Sequence, residues 1–274
     1  MVNYSNLSQN IKYDITLITP SLNGKKYIKK LLQSIKRQTG GVLIQHVVVD
    51  GGSTDGTIEL LQEHGIEHYV VEGSSIYEAH NFGLTKSKSD AVAFINCDDY
   101  YSSDNVISRM LSELSDDSSI DIAYGTCNFV SDAGNLLYKM IPPRRIRYPL
   151  AKLRLFNISH PCWIARRSVF EKLGNYDTKW KFVSDMDFIL KASRYDCCFK
   201  RVNVTVADFL IHDSNASGTS AASNEGREFF KDVNGNSTFK RFLYVILLGG
   251  MYLKDPRYVY FWMRRLFKRL LSKG

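Results

Sequence analysis

Residues 91–99 read AVAFINCDD, in which five apolar side chains are followed at once by Asn96, Cys97, Asp98 and Asp99. A short, continuous apolar run is typical of a central parallel strand that is buried on both faces of its sheet. Ligands of such sheets bind beyond the carboxyl ends of the strands, so the two aspartates are predicted at the mouth of a cleft. Adjacent carboxylates repel each other, and a divalent cation such as Mg²⁺ or Mn²⁺ would keep both ionised. The alternative is a polar loop, because aspartate also follows strands as a helix cap or turn former.

The segments on either side of this run alternate between short apolar stretches and stretches with apolar residues at helical spacing. This alternation predicts an α/β fold with a Rossmann-type, mostly parallel sheet flanked by helices, followed by a helical basic C-terminal appendage. Three strand ends, at Thr19, Asp50 and Asp98, are then expected to meet at one edge of the sheet. The other predicted strands are residues 15–18, 44–49, 68–71, 120–127 and 199–209. The residues predicted to cap the helices that follow them are Asn23, Asp104 and Ser184.

The net charge of +8 is confined to the C-terminal end of the chain. Residues 231–274 carry ten Lys and Arg against two acids, so residues 1–230 are formally neutral and predict no nucleic-acid partner. We therefore divide the chain into a domain at 1–230 and a basic amphipathic helical tail at 231–274. The tail has no apolar run of the roughly 20 residues that cross a bilayer, and its aromatic and cationic residues suit a helix lying on an anionic membrane surface. A helix packed on the body with a solvated basic face is the alternative.

Cysteine content and the N-terminal residues indicate the compartment. The five cysteines are odd in number and show no C-x-x-C spacing, which predicts free thiols in a reducing compartment and no zinc site. Residues 1–13 are polar and lack the apolar segment of an export signal. We therefore expect a cytoplasmic protein that binds peripherally to the inner face of the plasma membrane through its tail.

The glycine-rich turn at residues 50–56, DGGSTDG, follows the second predicted strand. It lacks the lysine of a phosphate-binding P-loop and the G-x-G-x-x-G spacing of a dinucleotide site, which argues against a nicotinamide-dependent oxidoreductase. Asp50 is a candidate for hydrogen bonding a base or a ribose, and capping of the turn is its alternative role.

The second half of the chain carries further candidate functional residues. Ser184 as a helix cap would place Asp185 in the first turn, where the helix dipole keeps a carboxylate ionised, as a general base requires. Capping alone explains the same pattern. The polar stretch 211–224, which contains His212, is predicted to be a mobile loop that closes over a substrate. Basic residues between 144 and 154 could meet an anionic acceptor, with a solvated loop as the alternative.

Four motifs, in their order and spacing, resemble glycosyltransferase family 2, the inverting nucleotide-sugar enzymes with a GT-A fold. The motifs are TPSLN at 19–23, VDGGSTDGT at 49–57, NCDD at 96–99 and SDMD at 184–187. The resemblance covers residues 13–224, and the segment IYEAHNFG at 76–83 looks like that of the colanic-acid-type branch, which makes surface polysaccharides. The positions that depart from the family pattern are Asn96, Ser184, and Gly73 to Ser75.

The resemblance implies a role for individual residues. Asp50 matches the acid that contacts the nucleobase, usually uracil, and Asp185 matches the general base that deprotonates the acceptor hydroxyl. The residues assigned to the donor are Thr19, Pro20, Asn23, Asp50, Tyr77, Asn81 and Asp98. The residues assigned to Mn²⁺ or Mg²⁺ are Asp98, Asp99 and His212. The residues assigned to the acceptor or the sugar are His160 and Trp163.

We therefore expect a metal-dependent inverting glycosyltransferase that moves a sugar from a nucleotide-diphosphate donor, a UDP-sugar in the first instance, to a saccharide or lipid-linked acceptor in surface polysaccharide biosynthesis. A nucleotidyltransferase is the alternative enzyme, although residues 19–24 offer only one glycine where such an enzyme has a basic glycine-rich loop. The non-enzymatic alternative is a catalytically degenerate carbohydrate-binding protein that its tail attaches to a membrane surface.

Overall fold

The computed structural model describes residues 12–152, 158–213 and 215–234. Within these residues, nine strands form one sheet, and helices pack on both of its faces. The strands are β1 Ile15–Ser21, β2 Ile44–Asp50, β3 Glu67–Val70, β4 Ala91–Phe94, β5 Tyr100–Tyr101, β6 Ile122–Ser131, β7 Leu136–Met140, β8 Trp163–Arg166 and β9 Phe199–Ile211. The helices are α1 Lys25–Lys36, α2 Thr57–Glu63, α3 Ile76–Thr85, α4 Val106–Asp116, α5 Tyr148–Lys152, α6 Arg167–Leu173, α7 Ser184–Arg194 and α8 Ser220–Asn234.

The sheet is mixed, and its strand order is β3-β2-β1-β4-β8-β6-β9-β5. The ninth strand, β7, is not part of this order and pairs with β6. The neighbours from β3 to β4 run parallel, as the alternation of strands and helices predicts, and β6 pairs with β9 in parallel. β8 enters antiparallel between β4 and β6. The α/β fold with flanking helices is confirmed, and antiparallel pairing begins where β8 joins the sheet.

Strand β4 contributes to two apolar clusters because its alternate side chains point to opposite faces of the sheet. Ala91 and Ala93, together with Ile95 directly after the strand, pack in a cluster with residues of α1 and α4. Val92 and Phe94 pack in another cluster with residues of α3, α6 and α7. Both faces of β4 are therefore buried, which is why the strand reads as a continuous apolar run and not as an alternating one.

The predictions that Asp104 and Ser184 cap helices are wrong. The N-cap of α4 is Asn105, and the Asp104 carboxylate pairs with an arginine at the end of α1 instead. Ser184 is the first residue of α7 and not its N-cap, which is Val183. Asp185 nevertheless lies in the first turn of α7, as predicted.

The C-terminal part of the described chain is more helical than the sequence indicates. Helix α8 begins at Ser220, so the end of the stretch that we predicted to be a mobile loop, residues 220–224, is helical. The domain boundary that we placed between residues 230 and 231 falls inside α8. The rest of the predicted tail, residues 235–274, lies outside the described residues. None of the helices that the structure describes is long and apolar enough to cross a membrane.

Candidate active site

Three strand ends meet at one edge of the sheet. Ser21 at the end of β1 lies in register with Asp50 at the end of β2, and the Gly51 amide donates a hydrogen bond to the Ser21 carbonyl at 2.8 Å. On the other side of β1, the Ile95 amide, just past β4, donates to the Ile18 carbonyl at 3.1 Å. The predicted convergence is confirmed, and the loops that follow β1, β2 and β4 lie side by side.

The turn after β2 is built around Asp50. Its carboxylate accepts hydrogen bonds from the Gly52 and Ser53 amides at 3.0 and 2.6 Å and from the Ser53 hydroxyl at 2.7 Å. Gly52 has a φ of +97°, a conformation that favours glycine. The Asp50 side chain is 0% exposed, so the structure shows the turn-capping role. Contact between Asp50 and a nucleobase stays a prediction.

Asn23 joins the loop after β1 to this turn. Its backbone is left-handed, with a φ of 53°, and the N-cap of α1 is Gly24, so the prediction that Asn23 caps this helix is wrong. Asn23 Oδ1 accepts a hydrogen bond from the Thr54 amide at 2.9 Å, and its own amide donates to Ser53 Oγ at 2.7 Å. The exposed Asn23 therefore ties two neighbouring loops together.

Thr19 and Pro20 are buried in β1. Thr19 Oγ1 lies 3.0 Å from His46 Nε2 on β2. Burial lowers the pKa of His46 to about 4, so this ring is neutral at pH 7. The Thr19 hydroxyl is hydrogen-bonded to His46 inside the sheet. The structure therefore does not support its predicted contact with the nucleotide-sugar donor.

The acidic end of β4 meets the loop after β9. Asp98 Oδ2 lies 2.9 Å from His212 Nε2, and Asn215 Nδ2 lies 3.1 Å from each of these two atoms. Asn215 Oδ1 also accepts a hydrogen bond from the His212 amide at 2.6 Å. The His212 ring stacks on Tyr27 of α1, with ring centroids 4.5 Å apart. We call Asp98, His212 and Asn215 the edge cluster.

Asp99 lies outside the edge cluster. Its carboxylate accepts hydrogen bonds from the Leu210 amide at 3.1 Å and from Asn96 Nδ2 at 3.3 Å, and it is 1% exposed. Burial, and after it the charge of Asp98, raises the pKa of Asp99 well above its ordinary value. The predicted set of Asp98, Asp99 and His212 is therefore not assembled. In the described part of the chain, no group of three His, Cys, Asp or Glu side chains is placed to hold a metal.

The edge cluster still suits a divalent cation that a diphosphate helps to bind. A carboxylate oxygen and an imidazole nitrogen, 2.9 Å apart, are both ligands that Mn²⁺ accepts. In phosphate sites, Mg²⁺ commonly takes one or two carboxylates and completes its shell with substrate phosphates and water, so two protein ligands are enough. Asp98 and His212 would hold the cation, and Asn215 would keep the Asp98 carboxylate and the His212 backbone in place.

The first turn of α7 carries a second candidate site. Asp185 is partly exposed, and its Oδ1 accepts a hydrogen bond from the Tyr77 hydroxyl of α3 at 2.8 Å. Burial, and after it the charge of Asp185, raises the pKa of Tyr77 well above its ordinary value, so the phenol stays protonated and donates. Tyr77 thus orients one oxygen of a carboxylate that solvent can reach, as a general base requires.

Aromatic rings pack beside this pair. The ring of His160 lies 6.2 Å from that of Tyr77, and its Nε2 lies 2.9 Å from the Tyr176 hydroxyl. His160 also stacks on Phe94, with ring centroids 5.4 Å apart. Burial lowers the pKa of His160, so the ring is mostly neutral at pH 7. His80 packs edge-on against His160 at 4.8 Å, and neither of its ring nitrogens has a partner among the described residues.

The model of the glycosyl transferase family 2 matches residues 16–174, more than half of the chain. The chain belongs to glycosyltransferase family 2. It is therefore a nucleotide-sugar glycosyltransferase. The match includes Asp50 and Asp98 and ends before Asp185 and His212, so these last two assignments rest on the geometry described above.

Relatives and solved structures resemble the glycosyltransferase over most of its length. It is 26% identical over 211 residues to the PGL/p-HBAD biosynthesis glycosyltransferase of Mycobacterium bovis (strain BCG / Pasteur 1173P2), a match that covers 71% of this chain and 75% of the relative. The crystal structure of S. aureus TarS 1–349 with UDP has a TM-score of 0.61 at 16% identity, over 87% of this chain and 70% of that one. The mannosyltransferase PcManGT from Pyrobaculum calidifontis, with GDP-Man and Mn²⁺, has a TM-score of 0.58 at 17% identity, over 88% of this chain and 70% of that one. This chain covers 37% of a longer TarS structure, and these likenesses show a GT-A-like fold.

Two residues that the sequence assigns to ligands of the glycosyltransferase are used in packing. Asn81 Nδ2 donates to the Tyr176 carbonyl at 2.9 Å, and Asn81 Oδ1 accepts the Tyr176 amide at 3.0 Å. Trp163 is 1% exposed and stacks with Phe188 and Phe170 at centroid distances of 6.0 and 6.3 Å. The geometry therefore does not support a donor contact for Asn81 or a sugar contact for Trp163, because both side chains are committed inside the protein.

Sequence reasoning missed two residues around the edge cluster of the glycosyltransferase. Asn215 lies three residues after His212, and this spacing, which lets an amide side chain reach back to the preceding backbone, was the one available signal. Tyr27 lies on α1, and no sequence pattern connects it with the histidine on which it stacks.

Proposed function

We propose that this chain is an inverting, metal-dependent glycosyltransferase that transfers a sugar from a nucleotide-diphosphate donor, with a UDP-sugar as the first candidate, to a saccharide or lipid-linked acceptor in surface polysaccharide biosynthesis. The observation that carries the proposal is the 2.8 Å hydrogen bond between Tyr77 and Asp185, which orients a partly exposed carboxylate in the first turn of α7. Family membership favours sugar transfer over nucleotidyl transfer.

Asp185 is the proposed general base. It takes the proton from the acceptor hydroxyl as that oxygen attacks the anomeric carbon, on the face opposite the departing diphosphate, so the configuration inverts. Tyr77 donates to Oδ1 and leaves Oδ2 for the acceptor. A positioned general base typically contributes about 10² to 10⁴ in rate.

The edge cluster is the proposed binding site for the diphosphate end of the donor. Asp98 and His212 would hold the cation. Asn215 would position Asp98 through its 3.1 Å hydrogen bond to Oδ2, and His212 through the 2.6 Å hydrogen bond that Asn215 Oδ1 accepts from the His212 backbone amide. When bound, Mn²⁺ or Mg²⁺ would stabilise the negative charge that grows on the leaving group. Asn23, and the turn that Asp50 organises, form the proposed base-binding end of the same site.

Two of the structural relatives support this choice of donor class. The S. aureus TarS structure is a complex with UDP, and the PcManGT structure is a complex with GDP-Man and Mn²⁺. The two proteins differ in the base of the nucleotide, so the base has to be determined on this chain directly.

A thermal-shift panel tests the donor site. UDP, GDP, CDP and dTDP are each added with Mn²⁺ and with EDTA, to wild type and to Asp98→Ala. Ligand at about 100 times its Kd should stabilise the protein by roughly 2.7 kcal/mol. We expect a Mn²⁺-dependent shift with UDP that Asp98→Ala loses. A shift with another nucleotide alone would change the donor class, and no shift with any nucleotide would favour the degenerate carbohydrate-binding protein.

An Asp185→Asn variant tests the base. Amide replaces carboxylate with little change of shape, so we expect sugar transfer to be abolished while the UDP-induced thermal shift stays as in wild type. The rate of UDP release from UDP-glucose, UDP-galactose and UDP-GlcNAc, with water as the acceptor, is the readout. Turnover at the wild-type rate in this variant would reject Asp185 as the base.

Peripheral attachment to the inner face of the plasma membrane, in a cytoplasmic protein, completes the proposal. The excess charge of +8 lies in residues 231–274, most of which the structure does not describe, and a basic segment is attracted to anionic lipid. We expect the full chain to sediment with vesicles that contain phosphatidylglycerol and not with pure phosphatidylcholine vesicles. Raising the salt to 0.5 M should release it, and equal binding to both kinds of vesicle would contradict the proposal.

A further inference from the structure

Helix α7 lacks a cap of its own. Its N-cap, Val183, has no side-chain acceptor, and the hydroxyl of the first helical residue, Ser184, is buried without a partner among the described residues. The amides at a helix start are not paired within the helix, and a buried one without an acceptor is costly. Asp185 follows directly, so the contacts that fix this turn also fix the proposed base.

Glu225 of α8 binds the backbone of the segment that leads into α7. Its Oε2 accepts a hydrogen bond from the Lys181 amide at 2.9 Å, and its Oε1 accepts from the Phe182 and Val183 amides at 2.6 and 3.1 Å. Three consecutive amides thus converge on one carboxylate, and hydrogen bonds to a charged acceptor are stronger than those between neutral groups. The negative charge also lies at the N-terminal end of α7, where the helix dipole favours it.

Apolar packing connects the same two elements. Trp180, which is 7% exposed, meets Phe229 of α8 edge-on, with ring centroids 5.4 Å apart. Val183 belongs to the same cluster, and Met186 and Leu190 of α7 pack against it. Residues 180–183 are therefore bound to α8 through both backbone and side chains, immediately before the proposed base.

We propose that Glu225 is a positioning residue for sugar transfer. It holds residues 181–183 and thereby fixes the start of α7. The Asp185 carboxylate in the first turn is then placed to contact Tyr77 and the acceptor hydroxyl. This inference rests on the proposed function, since it takes Asp185 as the base. A displacement of about 1 Å at a reacting group can cost about 10²-fold in rate, so Glu225 affects catalysis without touching the substrate.

Glu225→Gln tests the proposal, with Glu228→Gln as the matched control because Glu228 is an exposed glutamate on the same helix. Glutamine keeps one acceptor oxygen but places an NH₂ group, which is a donor, where a second acceptor is needed. We expect kcat for UDP release from the best UDP-sugar substrate to fall about 10- to 100-fold. The Kd for UDP with Mn²⁺ should not change, because the edge cluster belongs to other elements. A wild-type kcat in Glu225→Gln would overturn the proposal.

A double-mutant comparison with Tyr77→Phe separates positioning from general structural support. If both residues act by positioning the Asp185 carboxylate, the fold-loss of kcat in the double variant is smaller than the product of the fold-losses in the two single variants. Independent effects, in which the losses multiply, would overturn the proposal. Should Glu225→Gln not fold, Glu225→Asp keeps the charge on a shorter side chain, and the same comparison is made with it.

Asp185→Asn reports separately on the proposed function. Turnover in Asp185→Asn would show that the base is wrong and would remove the basis for the role of Glu225. An inactive Asp185→Asn together with full activity in Glu225→Gln would leave the base in place and reject only the positioning role.

Discussion

Replacing Asn215 by alanine should weaken metal binding more than it weakens the fold. Asn215 is 7% exposed, and its amide group reaches Asp98 Oδ2 and His212 Nε2 at 3.1 Å and the His212 backbone at 2.6 Å. The substitution removes the hydrogen bonds to Asp98 Oδ2 and to the His212 backbone amide, which are compatible with a cation on His212 Nε2, and leaves both proposed ligands less constrained. Loss of such an outer partner typically costs 10- to 100-fold in metal affinity, or about 1.4 to 2.8 kcal/mol.

The assay is a Mn²⁺ titration of the melting temperature at a fixed, saturating concentration of UDP. We expect the Mn²⁺ midpoint of Asn215→Ala to lie about 10- to 100-fold above that of wild type, with the melting temperature in EDTA changed little. Asn224→Ala is the matched control, because Asn224 is exposed on the neighbouring α8. An unchanged Mn²⁺ midpoint in Asn215→Ala would refute the reasoning that this residue holds Asp98 and His212 for a cation.

Two further predictions concern stability. Trp163→Ala should lower the free energy of unfolding by about 3 to 5 kcal/mol, measured by urea denaturation, because this fully buried ring stacks between α6 and α7; a loss below 1 kcal/mol would contradict the packing role. Burial lowers the pKa of His46 to about 4 in the folded protein. Between pH 6.5 and 4, His46 therefore binds a proton in the unfolded chain but stays neutral in the folded protein. The free energy of unfolding should therefore fall by up to about 3 kcal/mol between pH 6.5 and 4, and His46→Gln should reduce this fall; equal pH dependence in both proteins would refute the assignment.

The features that the sequence predicts well are local ones. The apolar run before Asp98 is buried on both sheet faces, and the helical spacing of apolar residues after the first strand locates α1, since both patterns follow from the geometry of a single element. The meeting of the ends of β1, β2 and β4 follows from the same alternation, because parallel strands joined by helices place their carboxyl ends together.

Contacts between distant parts of the chain are not visible in these patterns. Tyr77 and Asp185 are 108 positions apart, and nothing in either segment indicates their hydrogen bond. Trp163 shows a second limit of sequence patterns. Tryptophan is common both in sugar-binding sites and in protein cores, so the residue type alone does not decide its role. The insertion of β8 between β4 and β6 decides between these roles by placing the ring under α6 and α7.

The neighbouring acids Asp98 and Asp99 show how the backbone assigns different tasks to identical side chains. Asp99 bonds to the Leu210 amide of β9 and is buried with a raised pKa, whereas Asp98 meets His212. Under the proposed function, the paired acidic motif would therefore offer one carboxylate, that of Asp98, to a cation, and the imidazole of His212 would supply the second ligand. Nitrogen ligands suit transition metals better than Mg²⁺, which prefers oxygen. We therefore expect Mn²⁺ to support UDP binding at lower concentrations than Mg²⁺ does, and His212→Asp to narrow that difference; an equal requirement for the two cations in wild type would show that the imidazole is not a ligand.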